Sequence, residues 1–199
     1  MLLNTDLFTS ECRIVHSAES PTNLDDRILY SDDHIIAIDK PSGMPPHSGP
    51  GCEDVRNLLE VVRDLVGAWV YLPHRLDRAT SGVTLLARKQ AVAKTLSKSF
   101  AEREVTKTYH AVVRGWTCEE QTISRPLQRI DGSGEQEASS HIKPLNRYEA
   151  PWPVRPFSTS RYTLVQLTPH TGRTHQLRRH LAGISHPIVG DTKYGDGAH

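Results

Sequence analysis

The sequence predicts an α+β fold, a mostly antiparallel mixed sheet with flanking helices. Three observations predict it. Short β-branched segments outnumber amphipathic helical stretches, they do not alternate with those stretches regularly, and Gly, Pro and Asp turn signals separate them. The 199 residues suit a single domain able to bury a sizeable core, and 37% apolar with 24% charged residues is an ordinary globular balance.

The elements follow in order. Residues 1–26 are polar, acidic and weakly patterned, and read as a loose leader to a folded part spanning 27–199. RILYSD and HIIAIDKP flank Asp32 and Asp33 as the two arms of a hairpin. Lys40, Pro41, Ser42 and Gly43 then open a Pro/Gly-rich loop that runs to Gly51. Over 53–66, Val55, Leu58, Leu59, Val62, Leu65 and Val66 fall on one side of a helix, with Gly67 as its stop. Residues 70–72 and 83–87 read as strands around a polar loop, and 90–103 as a basic amphipathic helix. KTYHAVVRG is a strand ended by Gly115. Residues 116–160 look irregular, with short strands near 121–126 and 141–149 and a proline-stiffened aromatic loop, PWPVRPF, at 151–157. SRYTLVQLTP is a further strand, TGRTHQLRRHLAG a turn and helix, and the last fifteen residues are turn-rich.

Composition narrows the function classes. No apolar run approaches the ~18 residues of a membrane span, and the amino terminus lacks the basic flank and apolar stretch of a secretory signal. Cys12, Cys52 and Cys118 are odd in number and have no CxxC spacing, which points to a reducing, cytoplasmic setting. The net charge of +1 is unevenly spread: residues 1–73 carry 5 Lys/Arg against 12 Asp/Glu, and residues 74–199 carry 19 against 11. A basic larger part suits a polyanion such as RNA, because neutralising phosphates releases counterions. Two mixed-charge surfaces divided by chance would read the same.

Two loops carry most of the chemistry. In HRLDRATSG, Asp77 stands between Arg75 and Arg78, with His74 and Thr80 nearby. Cationic neighbours favour an ionised carboxylate, which can serve as nucleophile or base; a turn aspartate bonded to its own backbone is the plainer reading. In TGRTHQLRRHL, Gly172 permits a tight turn, and Thr171 or Thr174 is placed to cap the helix. Leu177, Leu181 and Ile184 form the apolar stripe, Arg178 sits on its border, and Arg179 points away with His175. A partly buried guanidinium needs an anionic partner, and Asp77 is one candidate. Tyr109, at the start of a strand, either packs in the core or stacks on a base. No HExxH, G-x-S-x-G or P-loop pattern is present. A metal hydrolase built on His74, Asp77 and His175 is the weaker alternative.

Together and in this order, ILYSDDHIIAIDKPSG, HRLDRATSGVTLLARK, KTYHAVVRGW and LTPHTGRTHQLRRHLAGISHPIVGDTKYGD resemble the motifs of the RluA-type pseudouridine synthases over residues 28–197. The details are most similar to the branch acting on position 65 in the tRNA T stem. The resemblance implies the pseudouridine synthase fold and isomerisation of a uridine in RNA, with no cofactor and no metal. Asp77 matches the catalytic aspartate, Tyr109 the tyrosine that stacks on the base, and Arg178 the arginine paired with the aspartate. His74, Arg75, Arg78, Thr80, Arg173, His175, Gln176 and Arg179 are expected to contact substrate. Lys89, Lys94 and Lys98 join Arg75 and Arg78 as phosphate-facing candidates. The partner expected is RNA, specifically tRNA, bound by a monomer with no membrane association. A non-catalytic RNA binder of the same family is the alternative. The chain is expected to lack an S4 domain and the usual C-terminal strands, leaving a sheet edge and one pocket wall uncovered.

Overall fold

The computed structural model describes residues 24–49, 54–117, 119–154 and 156–195. The three cysteines lie outside the described residues, as does most of the expected leader. In chain order the elements are β1 Ile28–Ser31, β2 Ile35–Lys40, α1 Leu58–Val66, β3 Gly82–Ala87, α2 Gln90–Ala101, β4 Tyr109–Arg114, β5 Gln121–Ser124, β6 Leu127–Gln128, β7 Glu135–Gln136, β8 Ser139–Ala150, β9 Ser160–Pro169 and α3 Gln176–Gly183.

The expected α+β, mostly antiparallel architecture holds, and its strands divide into two main sheets. The first has the order β1-β2-β3, the second β4-β9-β8-β5, and β6 and β7 form a separate ribbon. Every pairing among these strands is antiparallel. The β1–β2 turn is built by Asp32, whose Oδ1 accepts the N–H groups of His34 and Ile35, both at 2.7 Å. The register of β8 on β9 slips between Pro144 and Asn146, where proline has no N–H to give the ladder.

Each main sheet has its own core. Ile36, Ile38 and Leu86 pack with Leu24, Met44, Leu58, Val62 and Val70 under α1. Val113, Ile123, Ile142, Val165 and Leu167 pack with Leu181 of α3. Leu177 and Ile184 complete that contact, as the apolar stripe requires.

Four boundaries differ from the sequence reading. Leu24, inside the expected leader, is buried, and a 3-10 turn over Asp25–Arg27 follows it. Helix α1 starts at Leu58 rather than 53, because Asn57 and Glu60 form a reciprocal capping box that outweighs the periodic match of Val55. Gly67 ends it in the left-handed conformation, as expected. The strand expected at 70–72 reduces to one bridge between Tyr71 and Ala87, because Pro73 follows at once. Finally, β8 begins at Ser139 and runs to Ala150, longer than expected, while β6 and β7 form where no strand is expected. Residues 187–189 also bridge the Val112–Arg114 end of the β4 edge, with Arg114 N–H donating to Pro187 and Val189 N–H to Val112.

Candidate active site

Asp77 lies on the loop between the Tyr71 bridge and β3. Leu76 is buried beside it, and the Thr80 N–H donates to the Asp77 carbonyl at 3.0 Å, closing the turn. The loop after β2 holds this turn from outside. Gly43 N–H donates to the Arg78 carbonyl at 2.8 Å, Arg78 Nε returns a bond to the Gly43 carbonyl at 3.0 Å, and Ser42 Oγ donates to Ala79 at 2.7 Å. Gly43 makes this exchange at φ +85°, a conformation that an L side chain would strain. Beneath them Lys40 is fully buried, with Nζ donating to the carbonyls of Pro41, Met44 and Arg78 at 2.9, 3.0 and 3.2 Å. Burial pulls its ammonium down to about 8, against the opposing pull of Asp77 and Asp39.

The second sheet's core delivers the other half of the site through α3. Arg178 bridges two carboxylates: Nη1 donates to Asp77 Oδ2 at 3.1 Å, while Nε and Nη2 donate to the two oxygens of Asp191 at 2.7 and 2.8 Å. The Asp191 side chain is 4% exposed, against 30% for Asp77. Its Oδ1 also accepts the N–H groups of Lys193 and Tyr194. Arg178 holds the Asp191 carboxyl at about 2, and those two N–H groups add to the shift against the effect of burial.

His175 immediately precedes α3 with φ 54°, the left-handed region that a non-glycine residue enters only under constraint. That backbone turns its ring away from the helix. Nδ1 pairs with the Tyr194 hydroxyl at 3.0 Å, and Nε2 stands 3.7 Å from Asp77 Oδ2. Burial lowers the imidazole's pKa, with Arg178 and Lys193 adding to the effect and Asp77 and Asp191 opposing it. A neutral ring with its proton on Nε2 points a donor at Asp77. Tyr109 heads β4 at the same end, and burial, then the Asp77 charge, pushes its phenol up. The hydroxyl is therefore protonated at neutral pH.

The 42–49 loop, the 75–79 loop, His175 and Arg178 enclose a cleft of about 530 Å³, with Asp77 in its lining. That is the size of an ordinary small-ligand pocket. Of the eleven candidate residues, Arg75, Asp77, Arg78, His175 and Arg178 line it. Asp77 takes its cation from Arg178, 101 positions away, while Arg75 reaches to His47 Nε2 at 3.2 Å.

Other candidates serve the frame. His74 Nε2 accepts the Leu85 N–H at 2.8 Å and its ring stacks on Phe100, so it does not converge with Asp77 and His175 as a metal site requires. Burial, then Lys107, lowers its pKa to about 4. Gln176 is buried and saturated: Oε1 accepts from Thr171 Oγ1 and Arg173 N–H, and Nε2 donates to Ser139 O and Ser140 Oγ. It has no capacity left for substrate. Leucine removes all four bonds and leaves the Arg173 N–H without its acceptor, while Ser139 O, Ser140 Oγ and Thr171 Oγ1 keep His170, His180 and the Ser139 N–H. Gln176→Leu is therefore expected to destabilise the fold by about 2–4 kcal/mol in a urea melt. Arg173 Nε donates to Glu137 O, and Arg179 Nη1 to Gln128 O, which ties α3 to the β6–β7 ribbon.

Two expectations are corrected. His175 does not point away with Arg179, because it is not helical. Neither Thr171 nor Thr174 caps α3 through its side chain; the residue before the helix is His175, and Thr171 Oγ1 instead accepts the Ser139 N–H. The residues missed were Lys40, Asp191 and Tyr194. A guanidinium as buried as that of Arg178 calls for more than one acceptor, but nothing in the sequence marks Asp191 as the second.

The chain has clear relatives. The sequence profile of the RNA pseudouridylate synthase family matches residues 34–183. The tRNA pseudouridine synthase C of Vibrio vulnificus (strain CMCP6) is 44% identical over 183 residues, covering 86% of this chain and 75% of that protein. The protein of the same name from Yersinia pestis is 43% identical over 180 residues, covering 85% and 70%. Among solved structures, Human RNA Pseudouridylate Synthase Domain Containing 1 superposes with a TM-score of 0.70 at 27% identity, over 85% of this chain and 69% of that one. Human RNA Pseudouridylate Synthase Domain Containing 4 gives 0.67 at 30% identity, over 87% and 70%.

Proposed function

The chain belongs to the RNA pseudouridylate synthase family, and from that premise we propose that it isomerises the uridine at position 65 in the T stem of tRNA, with Asp77 as the residue acting on the ribose. One observation carries the assignment of the site: Arg178 reaches across from the second sheet's helix to within 3.1 Å of Asp77, at a cleft between the two sheets' loops. The tRNA substrate is argued from the two relatives named tRNA pseudouridine synthase C. Residues 27–199 are read as the catalytic domain.

The reaction breaks the N1–C1′ bond, turns the uracil and joins C5 to C1′. The proton on C5 leaves to solvent and N1 gains one, so the product is an isomer. Asp77 acts as nucleophile at C1′ or as base toward a ribose proton, and both roles need a carboxylate held in place. Arg178 holds it, and Asp191 holds Arg178. The uridine must leave its helix to reach the cleft, which costs a few kcal/mol. Stacking on Tyr109 returns roughly 1–3 kcal/mol. Arg75 and Arg78 at the cleft mouth supply phosphate contacts.

The test uses tRNA carrying tritium at C5 of its uridines. The protein is expected to release about one tritium per tRNA, and none from a transcript with cytidine at position 65. Equal release from both overturns the position, and no release from either overturns the activity.

A further inference from the structure

We propose that the cavity next to the Asp77 cleft is a second nucleotide subsite, which holds the base beside the extruded uridine against Trp69. The proposal rests on the RNA-modifying activity above and adds to it a site for the neighbouring nucleotide. The cavity has a volume of about 580 Å³, and its lining includes His47, Arg63, Trp69, Tyr71, Leu72 and Arg75. His47 and Arg75 also line the cleft that holds Asp77, so the two spaces adjoin at this pair. Their side chains meet there, Arg75 Nη1 lying 3.2 Å from His47 Nε2.

Trp69 is the reason to read this space as a base site. It is 62% exposed, a poor position for an indole that only packs the fold. Its ring is nonetheless held in place. The Arg63 guanidinium lies 3.3 Å over the ring centroid and is itself fixed by Nε and Nη2 donating to the Val70 carbonyl at 3.4 and 3.1 Å. A cation covers one face of the ring and the high exposure leaves the other open. An indole braced on one side and open on the other is prepared to stack a planar base.

Charge selects the class of ligand. Two guanidiniums and two imidazoles, those of His47 and His74, line the cavity, and no carboxylate is among its described lining residues. An acidic peptide lacks the flat rings that Trp69 accepts, whereas an RNA strand brings bases and phosphates at regular spacing. With the uridine beside Asp77, the phosphate joining it to its neighbour passes the His47–Arg75 pair. The adjoining base then enters the cavity of Trp69.

The chain has three tryptophans, so Trp116→Phe with Trp152→Phe leaves Trp69 as the sole reporter. Titrating that protein with tRNA transcript is expected to quench its emission with the same Kd that filter retention gives. Trp69→Ala is expected to raise KM for tRNA about tenfold, with a smaller fall in kcat, and Trp69→Phe to recover most of the affinity. Retention of tRNA without quenching, or a parental KM in Trp69→Ala, overturns the subsite alone. No tRNA retention by the parent overturns the subsite and the tRNA reading together.

Discussion

Asp77→Asn is expected to lower tritium release from C5-labelled tRNA by roughly a thousandfold or more while leaving the fold intact. The two parts of that result have different causes. Asparagine can neither attack C1′ nor take a proton from the ribose, so the chemistry goes. The packing stays, because an amide oxygen still accepts from Arg178 Nη1, and Nε and Nη2 keep their two bonds to Asp191. The stability change should be under about 1 kcal/mol, which a melting comparison with the parent reads directly. Binding of tRNA should also persist, since Arg75, Arg78 and the rest of the cleft are untouched. A variant that lost activity only because it had unfolded would contradict this account, as would one that kept turning over.

Both site loops were legible in the sequence because each concentrates charged residues among apolar segments. Helical spacing also separated the two adjacent arginines, sending Arg178 to Asp77 and Arg179 to Gln128. The same spacing failed for His175, whose φ of 54° takes it off the helix and toward Asp77. For Lys40 the signal is present in the sequence: strand alternation places it on the face of Ile36 and Ile38, while Asp39 turns outward to Arg27. Asp191 had no such signal. Its segment has no period, and its role arises only when an Asx turn at the end of the described chain meets the first turn of α3. The β6–β7 ribbon was hidden for a similar reason, since two-residue strands carry no alternation to detect.

Arg178→Ala is expected to lose both turnover and stability, unlike Asp77→Asn. Removing the guanidinium leaves the Asp191 carboxylate, 4% exposed, without its charge partner, and leaves Asp77 unpaired beside it. Breaking one side of such a buried pair costs about 3–5 kcal/mol, or roughly 6–20 °C in Tm for a chain of this size. Lysine restores the charge but not the fork that reaches Asp77 and Asp191 together, so Arg178→Lys should regain stability before activity. Dependence on pH separates this cause from simple loss of packing. Arg178, with the Tyr194 and Lys193 N–H groups, depresses the Asp191 carboxyl from 3.8 to about 2. The stabilisation tied to this ionised carboxylate, about 2 kcal/mol with Arg178 the largest contributor, is therefore fully present above pH 4 and lost as pH falls toward 2. The gap in Tm between parent and Arg178→Ala should therefore narrow from pH 7 to pH 3, as the stranded carboxyl takes up a proton. Arg179→Ala, which removes only a bond to the Gln128 carbonyl, should show a small gap that does not change with pH. A constant gap for Arg178→Ala, or an equal loss in Arg179→Ala, would remove the electrostatic basis for placing Arg178 at the centre of the site.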